Sequence, residues 1–368
     1  VRFRDAHTHL AAGAVDLSGI DLRGLDAVAR VEAAARERPE GAWIRGWGWN
    51  GASLEGVAPS HPIFLARADG HAAWLNAPAG DALGIAAGIV SEDAYEAARR
   101  RLPELPASER DGAIARQART FARAGIARVD DFVEPWAVES YARLADRGAL
   151  PVSVALWLPA TMTPADARAV RAAFPCGRRP VATAGIKLFA DGTLGARTAA
   201  LGSPYADAPA TSGALRLDER ELAEGVLAWA SDGWRVAIHA IGDRAVSAAL
   251  SALAAAPRRT SAPHRIEHAQ LVRVADLSRF RALGVVASVQ PGHFHDDAPW
   301  REARLGAREG IVAYPIASLA RAGARLVFGS DWPVSRFEPE AILHAATDPL
   351  RDREAVGRRA AVAALSAW

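Results

Sequence analysis

Lysine is almost absent from this chain. Of its 44 basic residues 43 are arginine, and Lys187 stands alone. Cysteine is as scarce: Cys176 is the only one, which excludes an intrachain disulfide. No apolar run approaches 18 residues, so no membrane-spanning helix is expected. Basic residues form no block, and charges alternate in sign along stretches such as ERDGAIARQARTFAR. The sequence pI of about 9.0 therefore does not argue for a nucleic-acid partner. The first residues, VRFRDAHTHL, do not read as a signal peptide, and the expected location is the cytoplasm. There is no initiator Met, and the only Met is Met162. The chain begins in a strand-like segment and ends in the apolar AVAALSAW, so both ends are expected to continue in something longer.

The lone lysine invites a chemical reading. Arginine keeps its proton, whereas a lysine amine can lose it and act as a nucleophile. Lys187 lies in TAGIKLFADG, an apolar run that reads as a buried strand ending in a Gly-containing turn. A chance survivor paired with a carboxylate is the plain alternative. The formal net charge of +2 counts Lys187 as a cation. A carboxylate on it would bring the total to 2 − 2 = 0.

At 368 residues and 50% hydrophobic, the chain can bury a large core and suits an α/β barrel with insertions. Strand-like runs alternate with helical ones, as in a parallel sheet. The strands are Val1–His9, Ile63–Arg67, Ile126–Phe132, Val152–Leu158, Ala184–Phe189, Val236–His239, Arg265–His268, Val285–Gln290 and Leu326–Ser330. Nine is one too many for an eight-stranded barrel. The region 39–106 breaks the β–α rhythm and holds Trp43, Trp47, Trp49 and Trp74. It reads as an insertion between the first two barrel strands that takes Ile63–Arg67 with it. The expected architecture is a (β/α)₈ barrel over residues 1–368, with this Trp-rich insertion covering its mouth. A helix over 218–232 places Leu222, Val226, Leu227 and Ala230 on one face, and Gly233 ends it.

His7 and His9 sit two apart at a strand end, so both imidazoles can reach one ion. Alone, an H-x-H is a weak signal. His239, His268 and Asp331 end three more strands, and catalytic groups of an α/β barrel gather at such ends. His264 lies roughly 13 Å from His268 along an extended strand, so only His268 is assigned to metal. His61, His293, His295 and His344 fall outside strand ends and are expected on the surface or in supporting positions.

The strings DAHTHL, GIKLFADGTLGARTA, AIHAIGDRAV, HRIEHAQLV and FGSDWPV together resemble the amidohydrolase superfamily. The likeness is to the branch of N-substituted formamide deformylase-like enzymes (amidohydrolase family 3). GAWIRGWGWN and FLARADGHAAWLN are also similar to that branch. The resemblance implies two divalent metal ions held by His7, His9, a carboxylated Lys187, His239, His268 and Asp331. It also implies a small β-sandwich flanking the barrel, which is missing from this sequence.

On that reading a CO₂-derived carbamate on Lys187 bridges the ions, and a bridging hydroxide attacks a polarised carbonyl. Asp331 serves as the catalytic acid–base. The ligand set best suits Zn²⁺, with Mn²⁺, Fe²⁺ and Co²⁺ left open. No phosphate-binding glycine motif or G-x-S-x-G elbow is present. Trp47, Trp49 and Trp74, with Asp69 and His71, suit a wall for an apolar or aryl amide substituent, or else are the insertion's own core. Asp191, Arg197 and Gln290 are weaker substrate candidates. Asp243 either orients a ligand or caps a helix.

The expected activity is hydrolysis of a non-peptide C–N bond in a small-molecule amide or formamide. Phosphotriester or lactone hydrolysis at the same site, and an inactive binding barrel, are the competing readings. A TatD-like nuclease fits less well, because such barrels use a carboxylate where this chain has Lys187. A homodimer is compatible with the sequence, and neither nucleic acid nor membrane is an expected partner.

Overall fold

The computed structural model describes residues 2–367, except 25, 52–53, 68–71 and 258–261 and the side chains of 92, 93 and 96. The chain divides into two compact units, one of Val1–Leu10 with Ala115–Trp368 and one of Ala11–Ile114.

The larger unit is an eight-stranded parallel sheet. Its strands are β1 (Phe3–Thr8), β2 (Ile126–Phe132), β3 (Ser153–Pro159) and β4 (Val181–Phe189), then β5 (Val236–Ala240), β6 (Arg265–His268), β7 (Val286–Val289) and β8 (Arg325–Phe328). They neighbour one another in that order. Both faces are covered, so the strands read as near-continuous Val, Ile, Leu and Ala rather than as an alternation. The ring closes where β1 meets the residues after β8. Asp331 N donates to His7 O at 2.7 Å, and His9 N donates to Trp332 O at 2.8 Å. This is the (β/α)₈ architecture, and eight of the nine expected strands form it. The ninth, Ile63–Arg67, belongs to the other unit.

The helix expected over 218–232 is Glu219–Ser231. Asp218 and Glu221 form a reciprocal capping box at its start. Its buried face is Leu222, Val226, Trp229 and Ala230, and Leu227 is exposed instead. The reason is helical phase. At about 100° per residue Leu227 lies roughly 140° from Leu222, while Trp229 lies within about 20°.

A long loop follows β4. Its Leu194, Ala199, Leu201 and Tyr205 pack with Ile241, Leu271, Leu305 and Tyr314 into a separate apolar cluster. That cluster fixes loop backbone on the side where β4, β5 and β6 end.

The smaller unit starts earlier than the composition shift at Pro39. It carries a mixed five-stranded sheet of Ile20–Asp21, Ile44–Trp49, Ile63–Arg67, Ala72–Leu75 and Gly88–Ser91. The first three strands run parallel and the rest antiparallel. Trp49 is buried in its core with Leu22, Val31, Ile44, Leu54 and Leu65. Trp74 packs against the same cluster, and Arg23 lies 4.0 Å above the Trp47 ring. Among the described residues no helix is long and apolar enough to cross a membrane.

Candidate metal centre

Each barrel strand hands its last side chains to the same end of the ring, and three of those ends carry four imidazoles between them. His7 is fully buried, and its Nδ1 lies 2.7 Å from Glu267 Oε2. His9 Nδ1 lies 3.3 Å from Phe132 O, and His268 Nδ1 lies 2.9 Å from Gln290 Oε1. His7 and His9 therefore turn Nε2 toward the centre, whereas His268 brings Nδ1 nearest Asp331. His239 is reversed, with Nε2 2.9 Å from Gly192 O, and so offers Nδ1. Partners of this kind fix the tautomer and aim the free nitrogen. The His7 and His268 ring centroids are 4.8 Å apart, and those of His239 and His268 are 4.5 Å apart.

Asp331 stands among them. Its Oδ1 is 3.2 Å from His9 Nε2 and 3.4 Å from His7 Nε2, and its Oδ2 is 3.9 Å from His268 Nδ1. His268 and Asp331 both adopt left-handed backbone, with φ of 73° and 58°. Such conformations are uncommon outside glycine and concentrate at functional sites. At His268 the reason is visible. Arg265 and Glu267 point into the barrel, so regular alternation would send His268 outward, and the left-handed turn brings it back.

Lys187 is buried on β4, with Nζ 4.1 Å from the Phe132 ring centroid. Burial pulls its ammonium down to about 8, although Glu267 and Asp331 favour the cation. Burial first, then the Lys187 charge, lowers His7 to about 4 and His239 to about 3. Burial likewise holds His268 well below its usual range. Burial alone would push Asp331 up, but His7, His9 and His268 hold it well below. Neutral imidazoles beside an ionised carboxylate are the protonation states a cation requires.

His7 Nε2 and Asp331 Oδ1 are both buried without a hydrogen bond. Buried polar atoms are normally paired, so this facing couple asks for a further partner. One ligand atom each from His7, His268 and Asp331 lies within 4.8 Å of the others, a grouping that could hold a metal ion. The donors are nitrogen and oxygen, which fits a divalent ion such as zinc. His9, His239 and Lys187 surround this trio, so the structure brings all six expected ligands together.

A second layer lies beneath. Arg265 is wholly buried. Its Nε donates to Glu267 Oε1 at 2.7 Å, its Nη1 to Asp130 Oδ2 at 2.7 Å, and its Nη2 to Ala6 O at 2.6 Å and Ser288 Oγ at 2.7 Å. Arg4 Nε donates to Asp130 Oδ1 at 3.0 Å. The two arginines and the two carboxylates balance in charge.

Other expectations fare differently. His264 sits away from the cluster, its Nδ1 accepting from Val236 N at 3.0 Å. Asp69 and His71 lie outside the described residues. Trp49 is core of its own unit rather than an open aromatic wall. Asp191 is fully buried and accepts from Ala200 N, Ile241 N and Gly242 N at 2.8–3.0 Å. That is the environment of a loop brace, not of a residue open to substrate. Gln290 is turned onto His268, whose ring it orients, with its Nε2 3.5 Å from Ser288 O. Arg197 pairs with Asp207 at 2.8 Å. Asp243 is not the cap of its helix, which is Gly242; it accepts from Gly202 N and Arg273 Nε at 3.0 Å.

Two contributors were not singled out in the sequence. Glu267 and Arg265 were legible as charges alternating within an apolar strand. His293 supports the site from a short helix: its Nε2 is 3.5 Å from Asp331 Oδ2 and its ring stacks on His268. Of the two places expected for it, surface or support, it takes the second.

A barrel with strand-end imidazoles around one carboxylate is the framework of a metal-dependent hydrolase fold, and the family relationship agrees. A profile described as "Amidohydrolase family" matches residues 3–368, and this chain belongs to that family. It is 28% identical to Protein LONG AFTER FAR-RED 3 of Arabidopsis thaliana, covering 91% of this chain and 66% of that protein. It is 25% identical to N-substituted formamide deformylase of Arthrobacter pascens, covering 94% of this chain and 72% of the enzyme. The chain thus spans about two thirds to three quarters of the length of these relatives. Among solved structures, an uncharacterised metal-dependent hydrolase from Pyrococcus furiosus superposes with a TM-score of 0.84 at 30% identity, covering 99% of this chain and 80% of that one.

Proposed function

We propose that this protein is a metal-dependent hydrolase of non-peptide C–N bonds in small amides or formamides. The observation that carries the reading is the facing pair of unsatisfied buried atoms, His7 Nε2 and Asp331 Oδ1, with His9 and His268 also beside that carboxylate. The likeness to N-substituted formamide deformylase supports the choice of bond.

His7, His9, His239, His268, Asp331 and a carboxylated Lys187 would hold two divalent ions, with zinc the best match to the donors. When bound, such ions polarise a carbonyl and acidify water. The residues supply the rest. Burial brings Lys187 to about 8, which raises the share of free amine. Its Nζ adds to the carbon of CO₂ and releases one proton, leaving an anionic carbamate. Asp331 is ionised and reaches two histidines, so its carboxylate can take a proton from the attacking water. The same oxygen then returns that proton to the departing nitrogen. Glu267, Phe132 O and Gln290 keep three rings aimed while this happens.

The test joins metal analysis to a substrate panel. Protein prepared without chelator should carry between one and two equivalents of divalent metal. It should cleave aryl formamides and amides, lose activity on chelation and recover it on metal return. A fully active metal-free preparation would overturn the reading. Turnover of phosphotriesters or lactones in place of amides would overturn the choice of bond.

A further inference from the structure

His7, Lys187, His239, His268 and Asp331 are buried, but one residue beside them is not. Phe189 is the last residue of β4, two positions beyond Lys187. The residue is 40% exposed, and burial would be the ordinary fate of a large aromatic at a barrel strand end. The ring centroid lies 5.3 Å from that of His239 and 5.1 Å from Lys187 Nζ. An aromatic face thus stands open to solvent directly beside the proposed metal ligands.

A guanidinium accompanies it. Arg216 Cζ lies 5.5 Å from the Phe189 ring centroid, inside cation–π range. The backbone of Arg216 is fixed there, because its N–H donates to Ala190 O at 2.8 Å. Asp191 is the carboxylate that feels this charge, yet its oxygens are taken by backbone N–H groups. Among the described residues the Arg216 guanidinium forms no salt bridge. Its donors remain available to something else.

An open ring and an uncommitted guanidinium at one rim define a composite subsite. The ring accepts a flat or apolar group by stacking. The guanidinium offers paired N–H donors that match a carboxylate. We infer that Phe189 and Arg216 select amide substrates whose apolar or aryl substituent carries an anionic group, a carboxylate above all. This inference rests on the hydrolase reading above and narrows its substrate class.

The experiment uses metal-loaded protein and a matched pair of N-aryl formamides, one neutral and one bearing a ring carboxylate. The wild type should favour the carboxylate in kcat/KM by about tenfold, the size of a charge-assisted hydrogen bond at a partly wet site. Arg216→Ala should bring that ratio close to one, and Arg216→Glu should invert it. The wild-type preference should shrink as salt rises, which a merely structural role of Arg216 would not produce. A wild-type ratio near one, or a preference that survives Arg216→Ala, overturns the inference and leaves the hydrolase reading intact. If neither formamide is cleaved, the hydrolase reading fails instead. A calorimetric comparison of 4-aminobenzoate with aniline then decides the subsite. Tighter binding of the carboxylate by wild type, lost in Arg216→Ala, upholds it, and equal binding refutes it.

Discussion

Glu267 Oε2 lies 2.7 Å from His7 Nδ1, and Arg265 grips the same carboxylate from the opposite side at 2.8 Å. The imidazole is held in one tautomer by a carboxylate that is itself locked. Burial alone would push Glu267 up, but Arg265 and then His7 hold it far below the usual carboxylate range. A ligand histidine so braced presents Nε2 with no rotation left to lose.

Removing the negative charge of that brace should loosen metal before it loosens the fold. Glu267→Gln is expected to weaken metal affinity by about 10–100-fold, the usual cost of losing an outer-shell partner. Competition against a chromophoric chelator measures it, with circular dichroism of the metal-free protein as control. Unchanged affinity would strip Glu267 of this role.

Lys187→Arg should eliminate the second metal equivalent, because a guanidinium keeps its proton and cannot add CO₂. Elemental analysis would show at most one ion per chain. Full occupancy in this variant, with near-native turnover, would make the lysine a structural residue.

Asp331→Asn separates holding metal from moving protons. The amide oxygen can still ligate, whereas proton transfer is lost. Turnover is expected to fall by about 10²–10⁴-fold, more than metal content falls. Intact metal with undiminished rate would remove Asp331 from the chemistry.

Asp130 sets the acid limb of stability. Burial opposes its charge, but Arg4 and Arg265 win and depress its carboxyl well below the usual value. A depressed folded pKa means the contribution is complete above the unfolded carboxyl pKa of about 3.9 and fades as pH falls below it. Asp130→Asn should cost about 3–5 kcal/mol near neutrality, since it strands the buried Arg4 guanidinium and takes one of the two carboxylates from Arg265. Denaturant midpoints of the two proteins should converge between about pH 4 and pH 2. A gap independent of pH would refute this electrostatic origin.

The barrel was legible because both faces of its strands are buried, so apolar runs recur with helices between them. The ligands were legible because each ends such a run. Residues contributed by partners across the ring were not. Glu267 braces a histidine on another strand, and for His293 the sequence left surface and support open until the fold brought it beside Asp331. The sequence left two readings open at Trp49, and the structure gives its own sheet's core, for a related reason: a tryptophan in a Gly-rich strand reads alike whether it faces solvent or that core. Leu227 shows the limit of counting apolar residues without their angular phase.

The join between β1 and the segment after β8 carries a consequence for how the ring opens. Elsewhere adjacent strands share hydrogen-bonded ladders, but here a single bridge, Thr8 to Trp332, and the few bonds around His7 and Asp331 do the work. Two of the proposed ligands, His7 and Asp331, face each other across that join. An ion between them would act as a rivet at the weakest stave, suppressing local breathing there by mass action. Amide protons flanking Thr8 and Asp331 should then exchange with solvent far more slowly when metal is present than when it is stripped, while the ladders on the far side of the ring hold their protons either way.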